Sequence, residues 1–361
     1  MRIKKLNLKN FRNYIDESID FSDGLNVLFG RNAQGKTNCA EAVFYLCTGS
    51  SPRCRRDKQL IRHGESFAEI SAVAEGLYGD ITVSARISEN SREIKINGNK
   101  ITRNADILGN LFSVFFSPHE LRLIQDGPDE RRRFLNVSIS QLSKPYYVAL
   151  TRYNKILEQR NNLLKNRDGA LVYDTLPVWD EQLCKYAGII ACKRAEFTGM
   201  LSPVSADIHS ELTDGAETLE ISFGRKYAGT EKELADKFYA ELSANYDRDI
   251  RLGYTASGPH RDDLDILING TDAKTFASQG QTRTAALSVK LAEVEIFKKT
   301  SGEYPVLILD DVMSELDLPR RKKLAGRTGG LQTILTCTHA ERVLYGRTVN
   351  KIRIEGGKIK S

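Results

Sequence analysis

The stretch that decides the fold is Asn26–Leu46, NVLFGRNAQGKTNCAEAVFYL. An apolar run, Val27-Leu28-Phe29, ends in Gly30, and Gly35-Lys36-Thr37 then opens a segment with Ala40, Val43, Phe44 and Cys47 at helical spacing. Strand, loop and helix in that order, with G-x-x-x-x-G-K-[ST] between them, form a phosphate cradle. Gly30, Arg31, Asn32, Ala33, Gln34 and Gly35 turn the backbone so that N–H groups face phosphate oxygens, and the helix adds its positive end. Lys36 supplies a point charge for the β and γ phosphates, and Thr37 a hydroxyl for Mg²⁺. A glycine-rich turn before an ordinary helix would explain this loop alone.

It would not explain VLILDD, Val306–Asp311, a buried strand that ends in two acids. In a doubly wound sheet ligands collect at the carboxyl ends of the strands. Asp310 is therefore expected beside the loop, holding Mg²⁺ with Thr37, and Asp311 is placed to orient or deprotonate an attacking water. The two motifs together predict an ATP-binding α/β sheet.

Composition sets the frame. The chain has 361 residues, 40% hydrophobic and 28% charged, which is ordinary for a globular protein. A net charge of +6 suits a polyanionic partner without requiring one. The six cysteines show no Cys-x-x-Cys pair or disulfide-framework spacing, which points to free thiols in a reducing cytoplasm. Neither a signal peptide nor a membrane-spanning run is visible, so a cytoplasmic location without membrane contact is expected.

Alternating segments at RIKKLNL and GLNVLFG, and two Asn-Gly turns at Asn97-Gly98 and Asn269-Gly270, predict strands and tight hairpins. From about Asp129 to Asn245 the pattern changes to long amphipathic helices, with breaks expected at Pro177 and Pro203. A helix over Thr282–Lys298 and strands at PVLILDD and TILTCT then restore the α/β character. The simplest architecture is one α/β domain made of residues 1–120 plus 255–361, with a mainly helical lobe, 121–254, inserted.

The choice among P-loop families falls to Ser278-Gln279-Gly280-Gln281, which opens the helix ahead of the acidic strand. Ser278 reads simply as a helix N-cap. In the order P-loop, insertion, S-x-G-Q helix, D-D strand and Ser314-Glu315-Leu316-Asp317, however, it resembles the signature motif of ABC-type ATPases. Asp317 then matches the D-loop aspartate, and His339 in TCTHAE the switch histidine. LKNFRNY, GRNAQGKTN, GPDERRRFLN, SGPHRDDL, SQGQTRT and LILDDVMSELD resemble the RecF family along nearly the whole chain.

That resemblance implies an ABC-type P-loop ATPase head with an inserted helical lobe. Two copies would join head to head, Lys36 of one sharing an ATP with Ser278, Gly280 and Gln281 of the other. Arg12 lies where related heads carry a basic residue near the nucleotide. Asp311 replaces the longer glutamate usual in such heads, which implies slow hydrolysis; the resemblance implies a weak ATPase that DNA stimulates. The glutamine loop has no clear counterpart; His119 or Glu120 is nearest. The resemblance also implies recombinational gap repair with RecO and RecR, on single-/double-strand junctions and without sequence specificity. Candidate DNA contacts are Arg53, Arg55, Arg56 and Lys58, then Arg131, Arg132 and Arg133, then Arg152, Lys155, Arg160, Lys165 and Arg167. The alternatives are an SMC-like clamp head, which would need a long coiled coil, and a transporter nucleotide-binding subunit, which would carry Leu-Ser-Gly-Gly-Gln.

Overall fold

The computed structural model describes residues 1–165, 169–340 and 349–360. It divides into two compact units: Met1–Leu121, Ile208–Gly215 and Ser278–Ser361 in one, Arg122–Asp207 and Ala216–Ala277 in the other.

The first unit opens with strands β1 (Arg2–Lys9), β2 (Asp16–Asp20) and β3 (Leu25–Phe29), helix α1 (Lys36–Thr48), then β4 (Phe67–Gly76), β5 (Gly79–Ser88), β6 (Arg92–Ile96), β7 (Asn99–Lys100) and β8 (Ser113–Phe116). The chain then forms the second unit from α2 (Arg122–Gln125), α3 (Pro128–Leu142), α4 (Lys144–Leu164), α5 (Gly169–Leu212), β9 (Leu219–Phe223), α6 (Glu231–Ala244), α7 (Tyr246–Leu252), β10 (Leu264–Ile268), β11 (Thr271–Asp272) and α8 (Ala273–Phe276), the end of α5 counting with the first. It returns through α9 (Gln279–Ser301), β12 (Val306–Asp310), α10 (Leu318–Arg327), β13 (Thr333–Cys337), β14 (Val349–Glu355) and β15 (Lys358–Lys360).

Two sheets build the first unit. An antiparallel sheet runs β2-β1-β4-β5-β6-β7, and β4 shows strict in–out burial along most of its length, as a sheet covered on one face should. The other runs β15-β14-β3-β13-β12-β8, parallel except for β15. Its inner strands β12 and β13 are buried at every residue, as apolar parallel strands covered on both faces are. In register, Asp310 pairs with Thr336 and Cys337 with Phe29, so the P-loop and the acidic pair emerge from one edge of this sheet.

Two expectations need correction. Residues 255–277 belong to the second unit, not to the ATPase domain, because β10 pairs with β9 and the preceding segment is tied to the helices: Arg194 bonds Asp262 at 2.7 Å and Arg131 bonds Asp263 at 2.5 Å. The boundary therefore falls just before Ser278 rather than at 255, and the inserted unit carries a three-stranded sheet besides its helices. Pro177 and Pro203 do not break the helix; α5 runs through both. A proline costs the helix one hydrogen bond and some crowding. Here Leu176, Asp180 and Leu183 around the first and Leu201, Ser205 and Ile208 around the second are all buried, so packing holds the helix axis. Both Asn-Gly turns form as read: Asn97 and Asn269 take φ of 49° and 52°, their glycines 80° and 73°.

Candidate functional site

The loop after β3 has three residues in the left-handed region: Gly30 at φ 148°, Ala33 at 64° and Gly35 at 117°. At Gly30 a Cβ would overlap the Ile354 carbonyl oxygen, and at Gly35 it would lie 2.7 Å from Asn13 Nδ2. The glycines are thus demanded both by torsion and by close approach of other chain segments. Lys36 is buried, and its Nζ donates to the Gly30 and Arg31 carbonyls, each at 2.7 Å. Burial lowers its pKa; the charges of Asp311, Cys337 and Asp310 oppose that shift. A buried ammonium bonded only to neutral carbonyls is ready for an anion, since charge-assisted bonds are about twice as strong as neutral ones.

Thr37 Oγ1 donates to Asp310 Oδ1 at 2.8 Å, joining residues 273 positions apart. Thr336 Oγ1 donates to the same oxygen at 2.7 Å. Burial raises the Asp310 pKa, while the bonds from Thr336 and Thr37 pull it down. A hydroxyl and a carboxylate side by side, next to a phosphate cradle, are the hard oxygen donors that suit Mg²⁺. The next residue, Asp311, is exposed and takes φ 56°, with its N–H on Thr336 Oγ1 at 3.0 Å and its carbonyl accepting from Ser314 Oγ at 2.7 Å. A non-glycine residue held in that region by neighbours is a strained turn of the kind found at functional sites.

Arg12 sits in this unit but is committed elsewhere. Its Nε and Nη2 fork onto the two oxygens of Glu41 at 2.9 and 2.8 Å, and Nη1 reaches the Gln59 carbonyl at 2.8 Å. Glu41 is fully buried in α1 and also accepts from Ser51 Oγ at 2.5 Å. Sequence reasoning missed Glu41, an acid among the apolar residues of α1. It also missed Asn13 and Tyr14, whose side chains donate to the carbonyls of Gln34 and Gly35 at 2.8 and 2.9 Å and grip the loop from behind. The polar residues that follow Phe11 in NFRNY were the available signal.

Ser278 is the N-cap of α9: its Oγ accepts from Gln281 N at 3.2 Å, while Gln281 Oε1 accepts from Ser278 N at 2.9 Å. This capping box leaves Ser278 exposed at the positive end of a 23-residue helix. At Gly280 only Ser278 Oγ, 3.9 Å away, would meet an added Cβ. Asp317 caps α10 through Arg320 N at 2.9 Å and pairs with the Arg320 side chain. His339 is exposed beyond β13, and its carbonyl accepts from Cys337 Sγ at 3.4 Å. His119 and Glu120 lie in a turn directly after β8, which pairs in parallel with β12, so they leave the sheet at the Asp310 edge.

Among the arginines proposed for DNA, Arg53, Arg55 and Arg56 are exposed. Arg131 is not available: it is buried, forked onto Asp263 at 2.5 and 2.9 Å and bonded to the Asp126 carbonyl at 2.9 Å. Arg132 bonds the Asp262 carbonyl at 2.7 Å and pairs with Asp129. Arg160 is fully buried between Asp180 and Asp249, at 2.5 and 2.7 Å. These cations are internal ties, which a count of charges along the sequence cannot tell from surface charge. Arg152, Lys155 and Lys165 are exposed; Arg167 lies outside the described residues.

Comparison with known proteins starts from this arrangement. The family model described as RecF/RecN/SMC N terminal domain matches residues 2–360. The DNA replication and repair protein RecF of Ruminiclostridium cellulolyticum is 41% identical over 371 residues, covering 100% of both chains. The chain belongs to the RecF family. The RecF of Clostridium acetobutylicum is 40% identical over 365 residues and 99% of each chain. Two solved RecF structures, described as the recombination mediator protein RecF-ATPrS and RecF-ATP in the RecFOR pathway, superpose with TM-scores of 0.91 and 0.90 at 35% and 33% identity, each covering 99% of this chain and 97% of theirs. An Smc head bound to the C-terminal winged-helix domain of ScpA shares the fold alone, with a TM-score of 0.58 at 15% identity over 100% of this chain and 96% of that one. RecF is thus an ABC-type ATPase head within the wider SMC-like fold. Among the described residues no helix is long and apolar enough to cross a membrane.

Proposed function

We propose that this RecF-family chain is an ATP-gated DNA-binding protein of recombinational gap repair, which dimerises head to head around two ATP molecules. The carrying observation is the convergence of the P-loop, Lys36 and the Thr37–Asp310 pair. Gly30 to Gly35 and Lys36 grip the phosphates, and Thr37 with Asp310 would hold Mg²⁺, which when bound would screen charge on the phosphates. Asp311 orients the attacking water. Its short side chain reaches less far than a glutamate, so turnover is slow and suits a switch rather than a motor.

A second copy completes the site. The exposed, capped start of α9 offers Ser278, Gly280 and the helix N-terminus to the γ-phosphate bound by the other copy, with Gln281 fixing the cap and Asp317 beside the seam. His339 meets the same phosphate as hydrolysis proceeds. ATP then acts as the adhesive between two heads and hydrolysis as the release. Dimerisation doubles the exposed basic surface, to which Arg53, Arg55 and Arg56 contribute, and phosphate contacts of that kind select no base sequence. RecO and RecR are the expected partners in loading recombinase at single-/double-strand junctions, by likeness to the RecF structures of the RecFOR pathway.

Fluorescence anisotropy of gapped and blunt duplex DNA, with ATP, ADP or no nucleotide at two salt concentrations, tests the reading. ATP should tighten binding several-fold, and added salt should weaken it. Affinity indifferent to both nucleotide and salt would overturn it.

A further inference from the structure

The last hairpin of the chain, β14–β15, is not assigned any part in nucleotide binding, yet it closes on the P-loop. β14 pairs in parallel with β3, Arg353 opposite Phe29, so its turn emerges beside the loop that follows β3. Gly356 N donates to Gln34 Oε1 at 2.6 Å, and Gly357 N donates to the Gln34 carbonyl at 2.9 Å. Asn13 Nδ2 reaches that same carbonyl at 2.8 Å. Two distant parts of the chain therefore converge on one residue of the cradle, immediately before Gly35. The fit leaves no room: Gly357 has φ 72°, and an added Cβ would overlap the Asn13 carbonyl oxygen, as one on Gly30 would overlap that of Ile354.

We infer that the Gly356–Gly357 turn is a positioning element of the nucleotide site, fixing the Gln34–Gly35 backbone and thereby setting affinity for the diphosphate part of the ligand. This rests on the ATP-binding reading above. The physical reason is preorganisation. Consecutive N–H groups bind an anion well only if the loop is already turned, and the energy to hold that turn must come from outside it. Both lone pairs of the Gln34 carbonyl are taken by Asn13 and Gly357, so this peptide cannot rotate without breaking two bonds. P-loop backbone amides cradle the α and β phosphates, so ADP and ATP should depend on the turn equally.

The test is calorimetric titration of the full chain with Mg-ADP and with a non-hydrolysable ATP analogue, for wild type, Gly357→Ala, Gln34→Ala and the double variant. Gly357→Ala is expected to weaken both ligands by the same factor, on the order of tenfold, with the loss in ATPase assays falling in KM rather than kcat. Gln34→Ala, which deletes the Gly356 bond together with the Nε2 bond to the Asn32 carbonyl at 3.2 Å, should lose a few-fold, and the double variant no more than Gly357→Ala alone. Unchanged affinity in Gly357→Ala, a loss confined to the ATP analogue, or additive losses would each overturn the inference. Should Gly357→Ala fail to fold, Gln34→Ala decides, and wild-type affinity for it would count against the turn. A wild-type chain that binds neither nucleotide would overturn the ATP reading itself, a separate result.

Discussion

The buried network of the inserted unit and the P-loop of the nucleotide-binding unit use charged residues in opposite ways. In the inserted unit, buried arginines are closed onto acids: Arg160 between Asp180 and Asp249, Arg131 on Asp263, Arg194 on Asp262 at 2.7 Å. Arg194 also donates to Tyr146 Oη at 3.1 Å, the Pro259 carbonyl at 2.6 Å and Asn136 Oδ1 at 2.9 Å, and Tyr227 bonds the same Asp262. In the nucleotide-binding unit Arg12 is likewise closed onto Glu41, but Lys36 hydrogen-bonds only backbone carbonyls, with the charges of Asp311 and Asp310 acting on it through space, and Asp311 is exposed. A buried charge closed onto an opposite charge holds structure; one that hydrogen-bonds only neutral carbonyls in a strained loop is held in reserve for a ligand. This difference separates the two meanings of "basic residue" that the sequence leaves mixed.

The largest effect that could break the contrast is on stability. Arg194→Leu leaves Asp262 buried without its cation, so it should cost about 3–5 kcal/mol in denaturant unfolding, the range for breaking a buried ion pair. A loss below about 1 kcal/mol would show that the network is not structural. Next is acid sensitivity. His260 is half-buried against Tyr153, with Nε2 on the Thr255 carbonyl at 3.0 Å. Burial pushes its pKa down to about 4; the Thr255 bond opposes this, nearby Arg261 and Arg132 add to it, and Asp249 resists it. An imidazole kept neutral in the fold contributes stability that is present above its unfolded pKa near 6.5 and is lost as pH falls towards 4, by up to about 3 kcal/mol. His260→Gln should flatten that part of the pH–stability curve, and a curve unchanged in the variant would contradict the assignment.

Lys36→Ala should do the reverse of Arg194→Leu, weakening ATP binding about a hundredfold while barely moving the melting temperature, because its Nζ hydrogen-bonds only carbonyls and no hydrogen-bonded partner charge is stranded. An unfolded variant would erase the distinction between the units. The smallest effects belong to the surface. Arg55→Gln and Arg56→Gln should each lower the slope of log affinity for DNA against log salt by up to about 0.9, with no change in stability. Arg131→Gln should instead destabilise; if it altered only the salt slope, the arginine would belong to the DNA surface after all.

How much was legible in advance follows the same line. The P-loop, the acidic strand and both Asn-Gly turns are local in sequence, because each depends on a backbone geometry that few residue types allow. Their meeting through Thr37 and Asp310 followed from sheet chemistry. The burial of Arg131 and Arg160, the continuity of α5 through Pro177 and Pro203, and the place of residues 255–277 were not legible. Each is decided by a partner far along the chain, as Arg131 by Asp263, and no periodicity encodes such a pairing. Ser278 shows both aspects at once: its cap is local and visible, whereas the reach to a second copy proposed for it would be a property of two chains.

That reach is the central claim, and sedimentation velocity tests it most directly. With ATP and Mg²⁺ the wild-type chain should sediment as a dimer, and Ser278→Arg as a monomer that still binds ATP. A wild type that stays monomeric at saturating ATP, or a Ser278→Arg variant that dimerises as well as wild type, would contradict the account.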